Sequence, residues 1–327
     1  MIRVAVDALG GDRAPEEIVA GALAAAEEGI DVTLHGPAGL DTGGLELVVA
    51  KTAIGMAEKP AEAVRAKPDS SLVSAVIAVA EGNADAVVSA GNTGAMLAAG
   101  LLHLRRVPGV MRPAIAIPLP TRSGVSLLLD AGANADCRPE HLAQFGVMGS
   151  VFSTELLGVA DPDVRLLSIG EEPEKGNQLT IEAHALLREV EGIRFEGNAE
   201  ARELLSGAAD VVVTDGFTGN IALKLLEGGV KELLEMLREE IVSTPRGKVG
   251  GFLIQPSARR LRSRLDPDSY GGAYLLGLRG LAVISHGNSG RRAIANAIQV
   301  AARGAEHRVV ERLAERLPVR EPVAQTR

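Results

Sequence analysis

Short runs of aliphatic residues alternate along the chain with longer amphipathic segments, and most of the short runs end at Asp, Ser or Gly. Continuous apolar runs predict strands covered on both faces, and helical spacing of apolar residues predicts helices that cover them. We predict strands at residues 2–6, 31–35, 45–49, 85–89, 113–117, 125–129, 164–169, 193–197, 210–214 and 281–285. We predict helices at residues 15–28, 69–81, 93–105, 139–157, 174–190, 199–206, 218–242 and 290–316.

The alternation of strands and helices predicts a mostly parallel sheet with helices on both faces, which is an α/β fold. The chain has 327 residues, enough for one large buried core. No linker rich in Pro, Gly or Ser divides it. We therefore expect one domain over residues 1–327.

One eight-residue pattern occurs three times where a predicted strand leads into a helix, at residues 87–94, 212–219 and 283–290. Its form is two aliphatic residues, Ser or Thr, any residue, Gly, any residue, Ser or Thr, and Gly. Glycine allows close approach to a ligand, and the N–H groups at a helix start favour an anion. Any one copy fits ordinary turn and capping chemistry, but three copies favour a phosphate-type ligand. The candidate phosphate-binding residues in the first two loops are Ser89, Gly91, Asn92, Thr93, Gly94, Asp215, Gly216, Thr218 and Gly219.

Three further loops carry polar residues after predicted strands. The first contains Asp7, Gly10, Gly11 and Asp12, where a Gly-Gly turn allows close approach to a ligand or Asp12 only caps a helix. The second runs from Asp130 to Asn134, and binding and capping fit it equally well. The third contains Glu171, Lys175 and Asn177, where a lysine can hold an anion or is a solvated loop charge. In the third glycine loop, His286 can act as acid or base.

Composition narrows the function. The formal net charge is −8 and aromatic residues make up 2% of the chain, which argues against a nucleic-acid-binding protein. The single cysteine cannot form an internal disulfide, and no spacing among the six histidines suggests a metal site. The P-loop and GxGxxG fingerprints are absent. We expect neither metal nor cofactor. No apolar run is long enough to span a membrane and no signal peptide is evident, so we expect a cytoplasmic protein.

Residues 241–265 contain basic side chains and no acidic one. An apolar stretch lies among them, so residues 241–277 are predicted to form a projecting amphipathic segment. This pattern favours contact with an anionic membrane surface or an acidic protein. An exposed helical hairpin or a dimer contact is the alternative. The candidate contact residues are Phe252, Leu253, Ile254, Arg259, Arg260, Arg262 and Arg264.

Together these segments resemble the bacterial phosphate acyltransferases of phospholipid synthesis (PlsX type), in order and over nearly the whole chain. The matching stretches are residues 7–12, 89–95, 130–134, 169–177, 215–220, 270–273 and 286–287. The resemblance implies a three-layer α/β/α sandwich with a mixed, mostly parallel sheet, like that of isocitrate and isopropylmalate dehydrogenases. It also implies a homodimer.

The resemblance further implies a reaction in which inorganic phosphate attacks a long-chain acyl thioester of acyl carrier protein, giving acyl-phosphate and free carrier protein. The product would serve a membrane glycerol-3-phosphate acyltransferase, so peripheral membrane association is expected. Combined with the local chemistry, it makes Lys175 the group that aims phosphate and Asn220 the oxyanion donor, with His286 in reserve. The alternatives are a phosphotransacetylase acting on a short acyl-CoA and a non-catalytic binder of a phosphorylated metabolite.

Overall fold

The computed structural model describes residues 1–265 and 271–317. Its strands are β1 (Arg3–Asp7), β2 (Asp31–Gly36), β3 (Glu46–Val49), β4 (Ala86–Ser89), β5 (Ala114–Pro120), β6 (Val125–Leu129), β7 (Asp163–Ser168), β8 (Arg194–Glu200), β9 (Val211–Val213), β10 (Ala273–Leu276) and β11 (Leu281–Ile284). Its helices are α1 (Glu16–Glu27), α2 (Pro60–Ala66), α3 (Ser71–Ala80), α4 (Thr93–Ala99), α5 (Pro139–Leu157), α6 (Gln178–Glu189), α7 (Gly216–Val242), α8 (Pro245–Leu265), α9 (Arg291–Glu306) and α10 (Val309–Arg316).

All eleven strands form one mixed sheet in the order β3-β2-β1-β4-β11-β10-β5-β6-β9-β7-β8. Strand β10 is antiparallel to β11 and to β5, and β5 is antiparallel to β6. The remaining neighbours are parallel. The two parallel groups, β3 to β11 and β6 to β8, therefore run in opposite directions. The chain is intertwined, because β10 and β11 insert between strands formed much earlier.

Alternation along each strand separates two apolar cores, one on each face of the sheet. On β1, Val4 and Val6 join the core that α1, α5 and α9 cover, whereas Ala5 joins the core that contains α3 and α4. The same alternation recurs on β4, β6 and β9. The expected mixed α/β sheet flanked by helices is confirmed.

Several predicted boundaries were wrong. No helix spans residues 199–206, because β8 continues to Glu200 and only a 3₁₀ turn, Ala201–Glu203, follows. The helix predicted from residue 174 begins at Gln178, because Asn177 caps it. The helix predicted at residues 290–316 is two helices, with Arg308 in the left-handed region between them. After α4, a π-helical turn covers Gly100–Leu104.

Helices α7 and α8 are joined by two residues and pack against each other. Among their described residues from 224 to 265, no side chain is buried. Near the end of α8, Arg264 Nη2 donates to the carbonyl oxygen of Thr121 at 2.6 Å. The projecting basic hairpin stays a prediction, since residues 266–270 of the predicted segment 241–277 lie outside the described residues. So does Tyr270 of the matching stretch 270–273.

Candidate active site

A cavity of about 430 Å³ lies over the central strands, between the two parallel halves of the sheet. Ile115 and Ile117, two residues apart on β5, project from one face of the sheet into it. The remaining lining residues come from loops and from helix α7: Met56, Gly91, Thr93, Pro118, Ala131, Gly132, Asn220, Leu223, Lys224, Gly272, Ala273, Ile284, Ser285, His286 and Gly287. The lining therefore combines polar side chains and glycine backbone with apolar side chains.

Asp7 supports the first glycine loop from below the surface. It is buried at the end of β1, and its carboxylate accepts a hydrogen bond of 2.7 Å from Ser89 Oγ. Ser89 Oγ in turn accepts from the backbone N–H of Gly91 at 3.0 Å. Burial raises the pKa of Asp7, and the hydrogen bonds it accepts from Ser71 and Ser89 oppose that rise. Asp7 and Ser89 therefore shape the loop that lines the cavity, and neither lines it.

Gly10 and Gly11 are required by close packing between loops. A side chain at Gly10 would lie 2.8 Å from the backbone nitrogen of Gly91, and one at Gly11 would lie 2.9 Å from the carbonyl oxygen of Gly287. The backbone N–H of Asp12 donates to that carbonyl at 2.6 Å. The segment from Asp7 to Asp12 thus joins the first glycine loop to the third.

Asn92 caps helix α4 and also holds a neighbouring segment at the cavity. Its Oδ1 accepts from the N–H of Ala95 at 3.0 Å, which satisfies one free donor of the first helical turn. Its Nδ2 donates to the carbonyl oxygens of Met56 at 3.0 Å and Glu58 at 3.1 Å. Met56 lines the cavity, so the side chain of Asn92 acts as a clamp.

A buried carboxylate also organises the loop after β6. Asp130 accepts hydrogen bonds from the backbone N–H groups of Ile115 and Ala133 at 2.9 Å and of Asn134 at 2.8 Å. Burial raises the pKa of Asp130, and these hydrogen bonds oppose the rise. The loop it folds brings Gly132 to the cavity, next to the side chain of Asn220.

The first turn of α7 is satisfied from within the protein. Asp215 caps it, accepting from Thr218 N at 2.9 Å and from Thr218 Oγ1 at 2.8 Å. Gly216 N donates to the carbonyl oxygen of Asn134 at 2.8 Å. A carboxylate therefore already occupies the position where a helix start would attract an anion. Asn220 is the residue of this loop that lines the cavity.

In the third glycine loop, a side chain from another helix occupies the helix start. Glu17 of α1 accepts from Arg291 N at 2.6 Å and from Arg291 Nη2 at 2.8 Å. The hydrogen bonds from Arg291 lower the pKa of Glu17 to about 2. The start of α9 is thus neutralised within the fold, while His286 and Gly287 line the cavity.

Helix α7 contributes a charged pair that the sequence reading missed. Lys224 lies one turn after Asn220 and lines the cavity, and its Nζ is 2.9 Å from Glu227 Oε2. The other carboxylate oxygen of Glu227, Oε1, lies 3.3 Å from His286 Nε2, in electrostatic contact but without hydrogen-bond geometry. Burial by itself raises the pKa of Glu227, but His286 and Lys224 outweigh it and hold that pKa below its usual value.

Lys175 lies in the exposed loop after β7 and is not part of the cavity lining. Its backbone carbonyl accepts from Ser168 Oγ at 3.0 Å. Glu171 in the same loop is 3.9 Å from Arg202, and Asn177 caps α6 through Thr180 N at 2.9 Å. In this chain the loop does not meet the cavity.

The predicted contact residues of α8 are exposed, Phe252 at 75%. No helix in the described part of the chain has both the length and the apolar character needed to cross a membrane.

The structure brings four predicted site residues to the cavity, namely Gly91, Thr93, Asn220 and His286. The other predicted ligand-contact or catalytic residues lie outside its lining: Asp7, Gly10, Gly11, Asp12, Ser89, Asn92, Gly94, Asp130, Asn134, Glu171, Lys175, Asn177, Asp215, Gly216, Thr218 and Gly219. The spacing of Asn220, Lys224 and Glu227, which places them on one helix face, is the sequence signal that could have revealed the missed pair.

Comparison with solved structures identifies the class of fold. A phosphotransacetylase from Streptococcus pyogenes matches with a TM-score of 0.63 and 17% identity, over 93% of this chain and 94% of that one. A 4-hydroxythreonine-4-phosphate dehydrogenase from Klebsiella pneumoniae matches with a TM-score of 0.54 and 14% identity, over 93% and 99%. These likenesses establish the fold, one shared by phosphotransacylases and a dehydrogenase, and the expected fold class is confirmed.

The family follows from sequence. Residues 2–312 match the family described as "Fatty acid synthesis protein". A protein named phosphate acyltransferase from Thermosynechococcus vestitus is 49% identical over 323 residues, covering 95% of this chain and 94% of its own. Another of that name from Pelotomaculum thermopropionicum is 46% identical over 320 residues, covering 95% and 93%. The chain belongs to this family, and the expected acyltransferase enzyme is confirmed.

Proposed function

We propose that this enzyme transfers a long-chain acyl group from acyl carrier protein to inorganic phosphate, releasing acyl-phosphate for phospholipid synthesis. The observation that carries the proposal is the mixed polar and apolar lining of the cavity. Thr93 and Asn220 bring a hydroxyl and an amide to the lining, and Ile115 and Ile117 bring apolar side chains to it. A phosphate and the start of an acyl chain need these two environments side by side.

In the proposed reaction, a phosphate oxygen forms a bond to the thioester carbonyl carbon and the carbon–sulfur bond breaks. Phosphate is itself the nucleophile, so no covalent enzyme intermediate is needed. Asn220 donates to the oxyanion that develops on the carbonyl oxygen. Loss of one such donor typically costs about 3–4 kcal/mol of transition-state stabilisation, roughly a hundredfold or more in rate.

A lysine would neutralise and aim the phosphate. The family resemblance points to Lys175 for this role, and the cavity lining points to Lys224. The two alternatives separate in a simple comparison. Replacing the lysine that aims phosphate by alanine should raise KM for phosphate and lower kcat. Replacing the other lysine by alanine should leave both constants near wild type.

The direct test is incubation with palmitoyl-carrier protein and labelled phosphate, with hydroxylamine trapping of acyl-phosphate. We expect product with the wild-type enzyme and a large loss with Asn220→Ala. Asn83→Ala is the matched control, because Asn83 is exposed and lies outside the cavity lining. Near wild-type rates for both Lys175→Ala and Asn220→Ala would refute the mechanism with these two residues. Faster turnover of a short acyl-CoA would favour the phosphotransacetylase, and ligand binding without thioester consumption would favour a non-catalytic binder.

We also propose that α8 contacts the anionic inner membrane surface, where the acyl-phosphate would pass to a glycerol-3-phosphate acyltransferase. The support is the exposed Phe252 and Leu253 on a helix without acidic residues. Reversing the charge of Arg259, Arg260 and Arg262 should weaken binding to anionic vesicles and spare activity in solution. The matched control reverses Lys51, Arg65 and Arg188, which are exposed on other parts of the chain. Unchanged vesicle binding would exclude the membrane contact, and a lower affinity for carrier protein alone would identify that protein as the partner.

We further propose a homodimer formed through α7. Phe217, Ile221 and Leu225 follow one another at four-residue spacing and are all exposed, Leu225 at 73%. An apolar helix face of this kind packs well against its own copy. Leu225→Asp should shift the protein to monomer in sedimentation velocity, whereas Leu102→Asp, at an exposed leucine elsewhere, should not. An unchanged dimer with Leu225→Asp would place the interface on another surface.

A further inference from the structure

The carboxylate of Glu227 lies between two cavity-lining bases that come from opposite halves of the sheet. Lys224 belongs to α7, which follows β9, and His286 belongs to the loop after β11. Glu227 is only 22% exposed, whereas Lys224 is 58% and His286 38% exposed. The carboxylate therefore lies behind the two bases, which face the solvent and the cavity.

The two contacts of Glu227 differ in kind. Its Oε2 is paired with Lys224 Nζ at 2.9 Å. Its Oε1 is buried and lies 3.3 Å from His286 Nε2, without hydrogen-bond geometry. A buried carboxylate oxygen without a hydrogen bond is costly, so a small rotation of the histidine ring toward it is favourable. Catalytic hydrogen bonds are often loose in the free enzyme and tighten when substrate binds.

His286 is held in place by its backbone as well. Its carbonyl accepts from Ser289 N at 3.0 Å, and the next carbonyl, that of Gly287, accepts from Asp12 N. The charged group in contact with the histidine ring is Glu227, which also pairs with Lys224, and the Asp12 carboxylate lies near Gly287, the next residue. With Nε2 directed to Glu227, Nδ1 is the remaining polar atom of the ring. A histidine acts well in acid–base catalysis when a carboxylate holds one ring nitrogen and the other nitrogen exchanges a proton with the reacting group.

We propose that Glu227 is a positioning residue that orients His286 to deliver a proton to the departing thiolate. This inference rests on the proposed function. As the phosphate oxygen bonds to the carbonyl carbon and the carbon–sulfur bond breaks, its electron pair moves to sulfur. The proton passes from His286 to that sulfur, giving the free thiol, and solvent then reprotonates the histidine.

The test measures kcat and KM for phosphate with palmitoyl-carrier protein as donor. Glu227→Gln keeps the size of the side chain and removes its charge. We expect kcat to fall at least about tenfold, which is less than the roughly 100-fold or more that a general acid contributes, because His286 itself remains. Glu227→Asp should retain more activity than Glu227→Gln. Where Lys224 rather than Lys175 is the lysine that aims phosphate, Lys224→Met should instead raise KM for phosphate. Glu232→Gln, at an exposed glutamate on another face of α7, is the matched control and should be unchanged.

A second measurement depends on the leaving group, which a merely structural role would not affect. The donors are palmitoyl-pantetheine, whose thiolate is basic, and a palmitoyl thiophenyl ester, whose thiolate leaves without a proton. Glu227→Gln should lose activity on the first donor and keep most of it on the second. If the enzyme accepts only palmitoyl-carrier protein as donor, the test is whether kcat decreases from wild type to Glu227→Asp to Glu227→Gln.

Three results would overturn the inference: wild-type kcat in Glu227→Gln, an effect confined to KM for phosphate, or equal losses with both small donors. None of these touches the proposed function as long as the wild-type enzyme forms acyl-phosphate. If the wild-type enzyme forms none, the proposed function itself fails.

Discussion

Two glycines of helix α7 should respond in opposite ways to replacement by alanine. A methyl group at Gly219 would lie 2.0 Å from the carbonyl oxygen of Asp130, whereas ordinary contact begins at 3.4 Å. The obstacle is backbone, which cannot rotate away as a side chain does. At Gly228, also helical, nothing lies within 4 Å of the added methyl.

The magnitudes follow from two competing effects. Alanine in place of a helical glycine stabilises by roughly 0.5–1 kcal/mol. Overpacking in a tight site costs typically about 1–3 kcal/mol, and a 1.4 Å shortfall against backbone belongs at the upper end. We therefore expect Gly219→Ala to lose about 2 kcal/mol of unfolding free energy or more, and Gly228→Ala to gain up to about 1 kcal/mol.

The assay is equilibrium urea unfolding, in which a shift of the midpoint at constant slope reports the change in stability. Acyl-phosphate formation should fall with Gly219→Ala, since moving the start of α7 displaces Asn220 from the cavity. A Gly219→Ala variant as stable as wild type would show that the α7 start and the loop from Asp130 do not pack as described.

Three further outcomes are expected. Burial lowers the pKa of His35 to about 4, so the unfolded chain takes up an extra proton from about pH 6.5 downward. The free energy of unfolding should therefore fall by about 3 kcal/mol between pH 7 and pH 4. In urea unfolding measured across this pH range, His35→Gln should reduce the dependence on pH. Asn92→Asp keeps the cap of α4 but loses the donation to Met56, so limited proteolysis should cleave residues 53–58 faster, and unchanged cleavage would contradict the clamp. Ser70→Ala removes the acceptor for Val73 N and should cost about 1 kcal/mol in thermal unfolding.

Much of the fold follows from local pattern. Strands β1, β4 and β6 are apolar runs whose alternation serves two cores, and the long amphipathic run of α7 gave a helix at the predicted place. The elements that were missed are short. Strand β10 has four residues after two glycines, and one of its two pairing partners, β5, lies far away in sequence. Local sequence carries little information about such a strand.

For the site, the three repeated loops in the sequence were enough to predict where the chain turns from strand to helix. The sequence could not show which hydrogen-bond donors of these loops stay unpaired and can bind a ligand. Asp215 and Glu17 satisfy two of the helix starts from within, and that depends on how the chain packs.

Which groups meet at the cavity depends on the order and direction of the strands in the sheet. The antiparallel strands β10 and β5 reverse the sheet at its centre, so loops from oppositely directed halves converge over one face. The Glu227 carboxylate thereby reaches His286 from a helix that belongs to the other half. Local residue pattern specifies turns and helices, but side chains about sixty residues apart meet only because of the strand order.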